Sequence, residues 1–121
     1  LLNPSALIAV PDDFAEANYG GFLRDAFELG IGIFAIRVFA AGALLGAPPS
    51  AHTFKTPFFP LALYERDVER ANQLRESLAP DQSLQATALR YVLSHREIAS
   101  AIIGFGEVDH VDEAVGLLTT A

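Results

Sequence analysis

Two apolar segments constrain the fold of this chain more than any other feature. Residues Ile31–Phe39 and Ile98–Ile103 are apolar almost throughout, and Arg37 is the single charge within them. A strand with one face in water alternates apolar and polar residues, whereas a strand of a parallel sheet is covered on both faces and reads as a continuous apolar run. The sequence therefore predicts two buried parallel strands, which need a helical crossover between them.

The residues around these strands have the spacing of helices. Segment 22–29 has an apolar face, and Gly30 is predicted to end that helix. Segments 64–78 and 84–93 carry apolar residues at helical spacing, and Ser83 is the predicted N-cap of the second. A last helix is predicted over residues 107–118. The order helix, strand, helices, strand, helix indicates the α/β class.

Residues 47–60 form a Pro-rich segment that interrupts this order. It contains Pro48, Pro49, Pro57 and Pro60, and no helical or strand period. Long irregular loops in compact domains are often functional. We therefore predict a Pro-rich loop over 47–60 that folds back over part of the domain.

The second strand runs through a glycine turn into the last helix. Gly104, Phe105 and Gly106 form the turn, and Glu107 follows them. The first amides of a helix have no partner within the helix, and the helix dipole favours negative charge there. The pattern is typical of a site for an anion such as a nucleotide phosphate. A glycine turn that only packs the helix on the strand is an equally good interpretation of the residues alone.

Composition excludes several classes of function. The 121-residue chain has a net charge of −7, which argues against nucleic acid and anionic membrane surfaces as partners. It has no Cys, so disulfides and thiolate metal sites are excluded. Hydrophobic residues make up 51%, which indicates surface that is buried against something more than the chain itself. We expect a cytoplasmic protein.

The predicted strands are too few to form a stable parallel sheet by themselves. Each strand has two edges that need a neighbour and two faces that need cover. We therefore expect a parallel pair with an open edge, filled by missing segments or by another copy of the chain.

The same segments resemble the C-terminal part of the aldo-keto reductases. Gly30–Ile33 and Gly42–Gly46 are similar to that family's seventh strand and the loop after it. Ala88–His95 and Ser100–Gly104 resemble its seventh helix and eighth strand, Asp109–Val115 resembles its last barrel helix, and Leu2–Pro4 is similar to the residues after its sixth strand. The resemblance implies that residues 1–121 are a C-terminal fragment, roughly the last third, of a (β/α)8 TIM barrel.

The resemblance implies that this chain contributes cofactor-binding residues and not catalytic residues. Family members reduce aldehydes or ketones with NADP or NAD, and their catalytic Asp, Tyr, Lys and His lie on the first four strands, which have no counterpart here. The resemblance therefore implies no catalytic residue in this chain and no reductase activity by the chain alone. The positions that match the family's cofactor contacts are Arg37, Val38, Phe39, Gly42, Gly104, Phe105, Gly106, Glu107, His110 and Glu113.

Some of these positions differ from the family's usual residues. Gly106 and His110 stand where relatives often have a cation, and Glu107 adds a negative charge, so we predict a weaker preference for NADP than is usual. Arg37 in an apolar segment needs either an acidic partner or a phosphate. Two other functions remain open: a non-catalytic assembly unit of this shape, and a small doubly wound nucleotide-binding domain.

Overall fold

The computed structural model describes residues 22–55 and 61–119 of the 121-residue chain. Leu2–Pro4, the residues similar to those after a sixth strand, lie outside this part. The elements in chain order are α1 (Phe22–Glu28), β1 (Ile33–Ala35), a 3₁₀ segment (Ala40–Leu45), α2 (Ala51–Lys55), α3 (Leu61–Ser77), α4 (Leu84–Leu93), β2 (Ile98–Ala101) and α5 (Asp109–Thr119). No helix in the described ranges is long and apolar enough to cross a membrane.

The strands β1 and β2 form a small parallel sheet. Ile33 pairs with Ile98, Phe34 with Ser100 and Ala35 with Ala101, with a shift in register after the first pair. The Ile102 amide extends the ladder by donating to the Ala35 carbonyl at 2.8 Å. The predicted parallel pair and the α/β class are confirmed.

Both strands are shorter than the sequence predicts. β1 covers residues 33–35 of the predicted 31–39, because the backbone turns left-handed at Arg37, where φ is +60°. The described residues cover the two faces of the sheet unequally. Ala35 packs against α4, but Phe34 and Ile36 on the opposite face are 65% and 60% exposed. One face of the sheet is therefore covered, and the other is apolar and open.

Local signals fix several helix ends. Gly30 has φ of +71°; its amide donates to the Phe27 carbonyl and the Ile31 amide donates to the Ala26 carbonyl. These bonds form a Schellman motif, which needs a left-handed residue at the position of Gly30. The Ser83 side chain accepts a hydrogen bond from the Ala86 amide, which confirms it as the N-cap of α4.

The Pro-rich stretch is not irregular throughout. Residues 51–55 form α2, and residues 56–60 lie outside the described part of the chain. The turn before α2 is held by Tyr64, whose buried hydroxyl donates to the Ala47 carbonyl. Residues 47–50 are therefore anchored to α3.

Within the described residues, the core consists of two clusters that meet at Phe39. One joins the 3₁₀ segment to α3 and α4, and its buried members are Ala40, Ala43, Leu44, Tyr64, Ala71, Leu84 and Ala88. The other joins the sheet to α4 through Ala35, Val38, Leu89 and Val92. The many alanines let the 3₁₀ segment and α3 approach closely, so the chain beyond β1 is held firmly on the helices.

We expect the stability of the fold to decrease above pH 10 because of Tyr64. Burial raises the pKa of the Tyr64 phenol above its usual 10.0. The unfolded chain therefore loses this proton at a lower pH than the folded chain does, and the stabilising contribution present below pH 10 is lost as pH rises through the folded pKa. Urea unfolding between pH 8 and pH 11 should show a smaller decrease for Tyr64→Phe than for Tyr91→Phe. Equal slopes for the two variants would contradict this assignment.

Candidate functional site

A cleft opens where the chain leaves the carboxyl ends of β1 and β2. Its volume is about 310 Å³, within the range of small-molecule sites. The 3₁₀ segment, the last turn of α3, the first turn of α4 and the segment from β2 into α5 all contribute. Its lining residues are Phe39, Leu44, Leu45, Arg75, Ser83, Leu84, Gln85, Ile103, Gly104, Phe105, His110, Glu113 and Ala114.

The lining combines an apolar floor with a few polar groups. Phe39, Leu44 and Ile103 belong to the core or pack against it, whereas Phe105 is 45% exposed. An aromatic ring that is half in water offers a stacking surface for a flat ligand. The polar groups, including Arg75 and Glu113, differ in charge, so the cleft suits a ligand with an aromatic ring and a charged part.

The cleft brings together residues that the sequence places far apart. Phe39, which follows β1, lies in the same lining as Gly104, Phe105, His110 and Glu113, which follow β2. All of them are among the positions at which the resemblance predicts contacts with a cofactor. The parallel pairing of the strands explains this meeting, because it places both carboxyl ends at the same edge of the sheet.

The other predicted site residues lie elsewhere. Val38 is buried in the core beside α4, and Gly42 has a structural role: its φ is +100° and a Cβ there would lie 3.1 Å from that of Ala47. Gly106 and Glu107 are exposed in the turn before α5 and are not part of the cleft lining.

Arg37 faces an acidic partner. Burial lowers the pKa of its guanidinium, and the negative charge of Asp67 on α3 opposes that lowering. Asp67 is fully buried, and Arg66 Nη2 lies 3.9 Å from its Oδ1. Of the two explanations for Arg37, a structural ion pair is the one that this arrangement supports. The left-handed backbone at Arg37 turns the chain towards α3, where Asp67 lies.

The first turn of α5 is poorly suited to an anion. It contains Asp109 and Asp112, whose carboxylates complement the helix dipole themselves and repel a second negative charge. The first turn of α4 has no acidic residue, and its Ser83 and Gln85 line the cleft. The electrostatics of the cleft therefore favour an anion on the α4 side over the glycine-turn side that the sequence indicates.

Arg75 lines the cleft, although no pattern in the sequence predicts it there. It lies in the last turn of α3, and its Nη1 donates to Asn72 Oδ1 at 2.7 Å. Its Nη2 lies 3.7 Å from the position that a Cβ of Gly46 would occupy. Periodicity places Arg75 on the solvent side of α3 like its neighbours, so no sequence signal separates it from an ordinary surface arginine.

A second, wider groove runs along β2 on the side away from β1. It lies between α4 and α5, has a volume of about 630 Å³, and is lined almost entirely by apolar side chains. α5 has no buried residue, and its Val111, Val115 and Leu118 are about half exposed beside the groove. The described part of the chain thus leaves the outer edge of β2 and one face of α5 without cover.

Among residues 22–55 and 61–119, no three His, Cys, Asp or Glu side chains come together as a metal centre needs. Comparison with known proteins adds no assignment: no family model matches the sequence, and no curated protein or solved structure matches the chain.

Proposed function

We propose that this chain is the cofactor-binding part of an NAD(P)H-dependent aldo-keto reductase that acts in the cytoplasm on small aldehydes or ketones. In this proposal β1 and β2 are the seventh and eighth strands of a (β/α)8 barrel. The single observation that supports it best is the cleft at the carboxyl ends of both strands. Phe39, Phe105, His110 and Glu113 line it, at positions that match the family's cofactor contacts.

The cleft suits the adenosine end of a nicotinamide cofactor, either NADP or NAD. Phe105, a half-exposed residue of the lining, offers a ring against which adenine can stack. Glu113 is an acceptor for hydrogen bonds from the adenine amine or a ribose hydroxyl, the role that acidic residues have in other dinucleotide sites. The nicotinamide end and the carbonyl substrate would then lie towards the rest of the barrel.

We expect adenosine binding to depend on Phe105. Because the ring is half exposed, Phe105→Ala should weaken adenosine binding about 10-fold through lost stacking while leaving the fold intact. Phe54→Ala is the matched control, since Phe54 on α2 is 62% exposed and outside the cleft. Isothermal titration of both variants and the parent chain measures the effect. Equal affinities for the two variants, or no adenosine binding by the parent chain, would contradict the proposal.

The chain alone is expected to show no reductase activity. The family's proton donor and its partners lie on strands that this chain does not match, so a developing alkoxide would receive no proton. Oxidation of NADH or NADPH in the presence of a simple aldehyde, followed by absorbance, should not exceed the rate without protein. Turnover that depends on the purified chain would disprove this expectation.

A non-catalytic assembly unit is the second candidate function, and the groove beside β2 favours it. The groove and the open sheet face present Phe34, Ile36, Val115 and Leu118 to solvent. Burying such apolar area is the main driving force of protein association. The two candidates differ in one measurement: an assembly unit need not bind adenosine, whereas the cofactor-binding part must.

A further inference from the structure

We propose that Arg75 is the phosphate-binding residue of the cleft and determines the affinity of a nucleotide bound there. This inference rests on the proposed function for the nature of the ligand. Arg75 lies outside both glycine-containing segments, Gly42–Gly46 and Gly104–Gly106, and the resemblance does not indicate it as a site residue.

The formal charge of the cleft lining depends on Arg75. The described lining contains one guanidinium, that of Arg75, and one carboxylate, that of Glu113. Without Arg75 the lining would have a formal charge of −1 with neutral histidine, in a chain whose net charge is −7. A phosphate would then enter against repulsion, so a phosphorylated ligand needs Arg75.

The Arg75 guanidinium is oriented by a neighbour on α3. Arg75 Nη1 donates to Asn72 Oδ1 at 2.7 Å, an exposed contact within α3 that orients the guanidinium at the end of this helix. A guanidinium has five N–H donors in a planar fork, so the Asn72 bond leaves most of them for a phosphate. Pre-orientation by Asn72 reduces the entropy lost when a ligand binds.

The acidic residues around the cleft lie on its α5 side. The glycine-turn side carries Asp109 and Asp112 in the first turn of α5, and Glu113 follows in the lining. Arg75 lies on the other side, with Gln85 in the acid-free first turn of α4. The ligand is therefore oriented with its phosphate towards α3 and α4, and its hydroxyl or amine donors towards Glu113.

The experiment compares adenosine, 5′-AMP and 2′-AMP by isothermal titration with the full chain, Arg75→Gln and Arg75→Lys. In the parent chain at least one monophosphate should bind about 10-fold more tightly than adenosine, because a charge-assisted hydrogen bond is added. Arg75→Gln should abolish that gain, so that the monophosphates bind this variant no more tightly than adenosine does. Arg75→Lys should retain part of it, since lysine keeps the charge and loses the fork. The monophosphate that binds more tightly than adenosine shows whether Arg75 contacts a 5′-phosphate or a 2′-phosphate.

Arg24→Gln is the matched control, because it removes the same charge from an exposed arginine on α1, outside the cleft. A phosphate gain that survives Arg75→Gln, or that Arg24→Gln removes equally, overturns the inference. So does equal binding of adenosine and both monophosphates by the parent chain. If adenosine does not bind, the proposed function fails, and inorganic pyrophosphate then tests Arg75 separately: binding lost in Arg75→Gln supports the phosphate site, and no binding overturns it.

Discussion

Asp67→Ala should destabilise the folded chain by about 3 kcal/mol, which is the cost of leaving a buried charge without its partner. Asp67 is fully buried, and its negative charge acts on Arg37 and lies near Arg66. Removing it places two guanidinium groups near each other in a partly buried region with no carboxylate between them. We take the lower end of the usual range because both arginines are only partly buried.

Urea unfolding of a small set of variants tests this expectation. Glu65→Ala is the control, since Glu65 is an exposed acid on the same helix and its loss should cost less than about 0.5 kcal/mol. In a double-mutant cycle, Asp67→Ala and Arg37→Gln together should cost clearly less than the sum of the single changes. An additive cycle, or an Asp67→Ala variant as stable as Glu65→Ala, would show that the ion pair does not hold the chain after β1 on α3.

Leu89→Ala should cost about 3 kcal/mol because it opens a cavity beneath the sheet. Leu89 is 2% exposed and belongs to the cluster that joins α4 to Ala35, Val38 and Val92. Leu93 lies one turn later on the same helix, is 43% exposed, and provides a control with the same change in side-chain volume and helix propensity. Leu93→Ala should cost less than about 1 kcal/mol.

Comparing the two leucine variants separates the contribution of packing to stability from that of helix propensity. Thermal and urea unfolding followed by circular dichroism should separate them clearly, with Leu89→Ala melting at the lower temperature. Similar losses for both would mean that α4 does not pack on the sheet in solution as the structure describes.

Features of the fold that depend on neighbouring residues are predictable from the sequence. Gly30 ends α1 because only a residue that tolerates positive φ closes a Schellman motif, and Ser83 caps α4 because its oxygen reaches an amide of the first turn. The parallel pairing of β1 and β2 follows from their continuous apolar character. Each of these signals lies within a few residues of the structure that it determines.

Features that depend on distant residues are not predictable in this way. The end of β1 follows from a left-handed backbone at Arg37, and nothing in the apolar pattern of 31–39 indicates it. Arg75 enters the cleft because the 3₁₀ segment packs on α3. The site residues after β1 and β2 are predicted from a resemblance. Those that line the cleft are Phe39, Gly104, Phe105, His110 and Glu113. Sequence patterns identify elements, whereas the site depends on how those elements meet.

The groove beside β2 leaves the outer edge of this strand open to solvent. An uncovered strand edge presents a row of main-chain donors and acceptors, and natural proteins usually protect such edges with lysine, proline or a bulge. Within the described residues, β2 reads Ile-Ala-Ser-Ala and has neither lysine nor proline; its one irregularity is the register shift at Ala99. The same edge that suits a neighbouring strand is also a template for aggregation, so the colloidal behaviour of the chain should depend strongly on its concentration and on whatever covers β2.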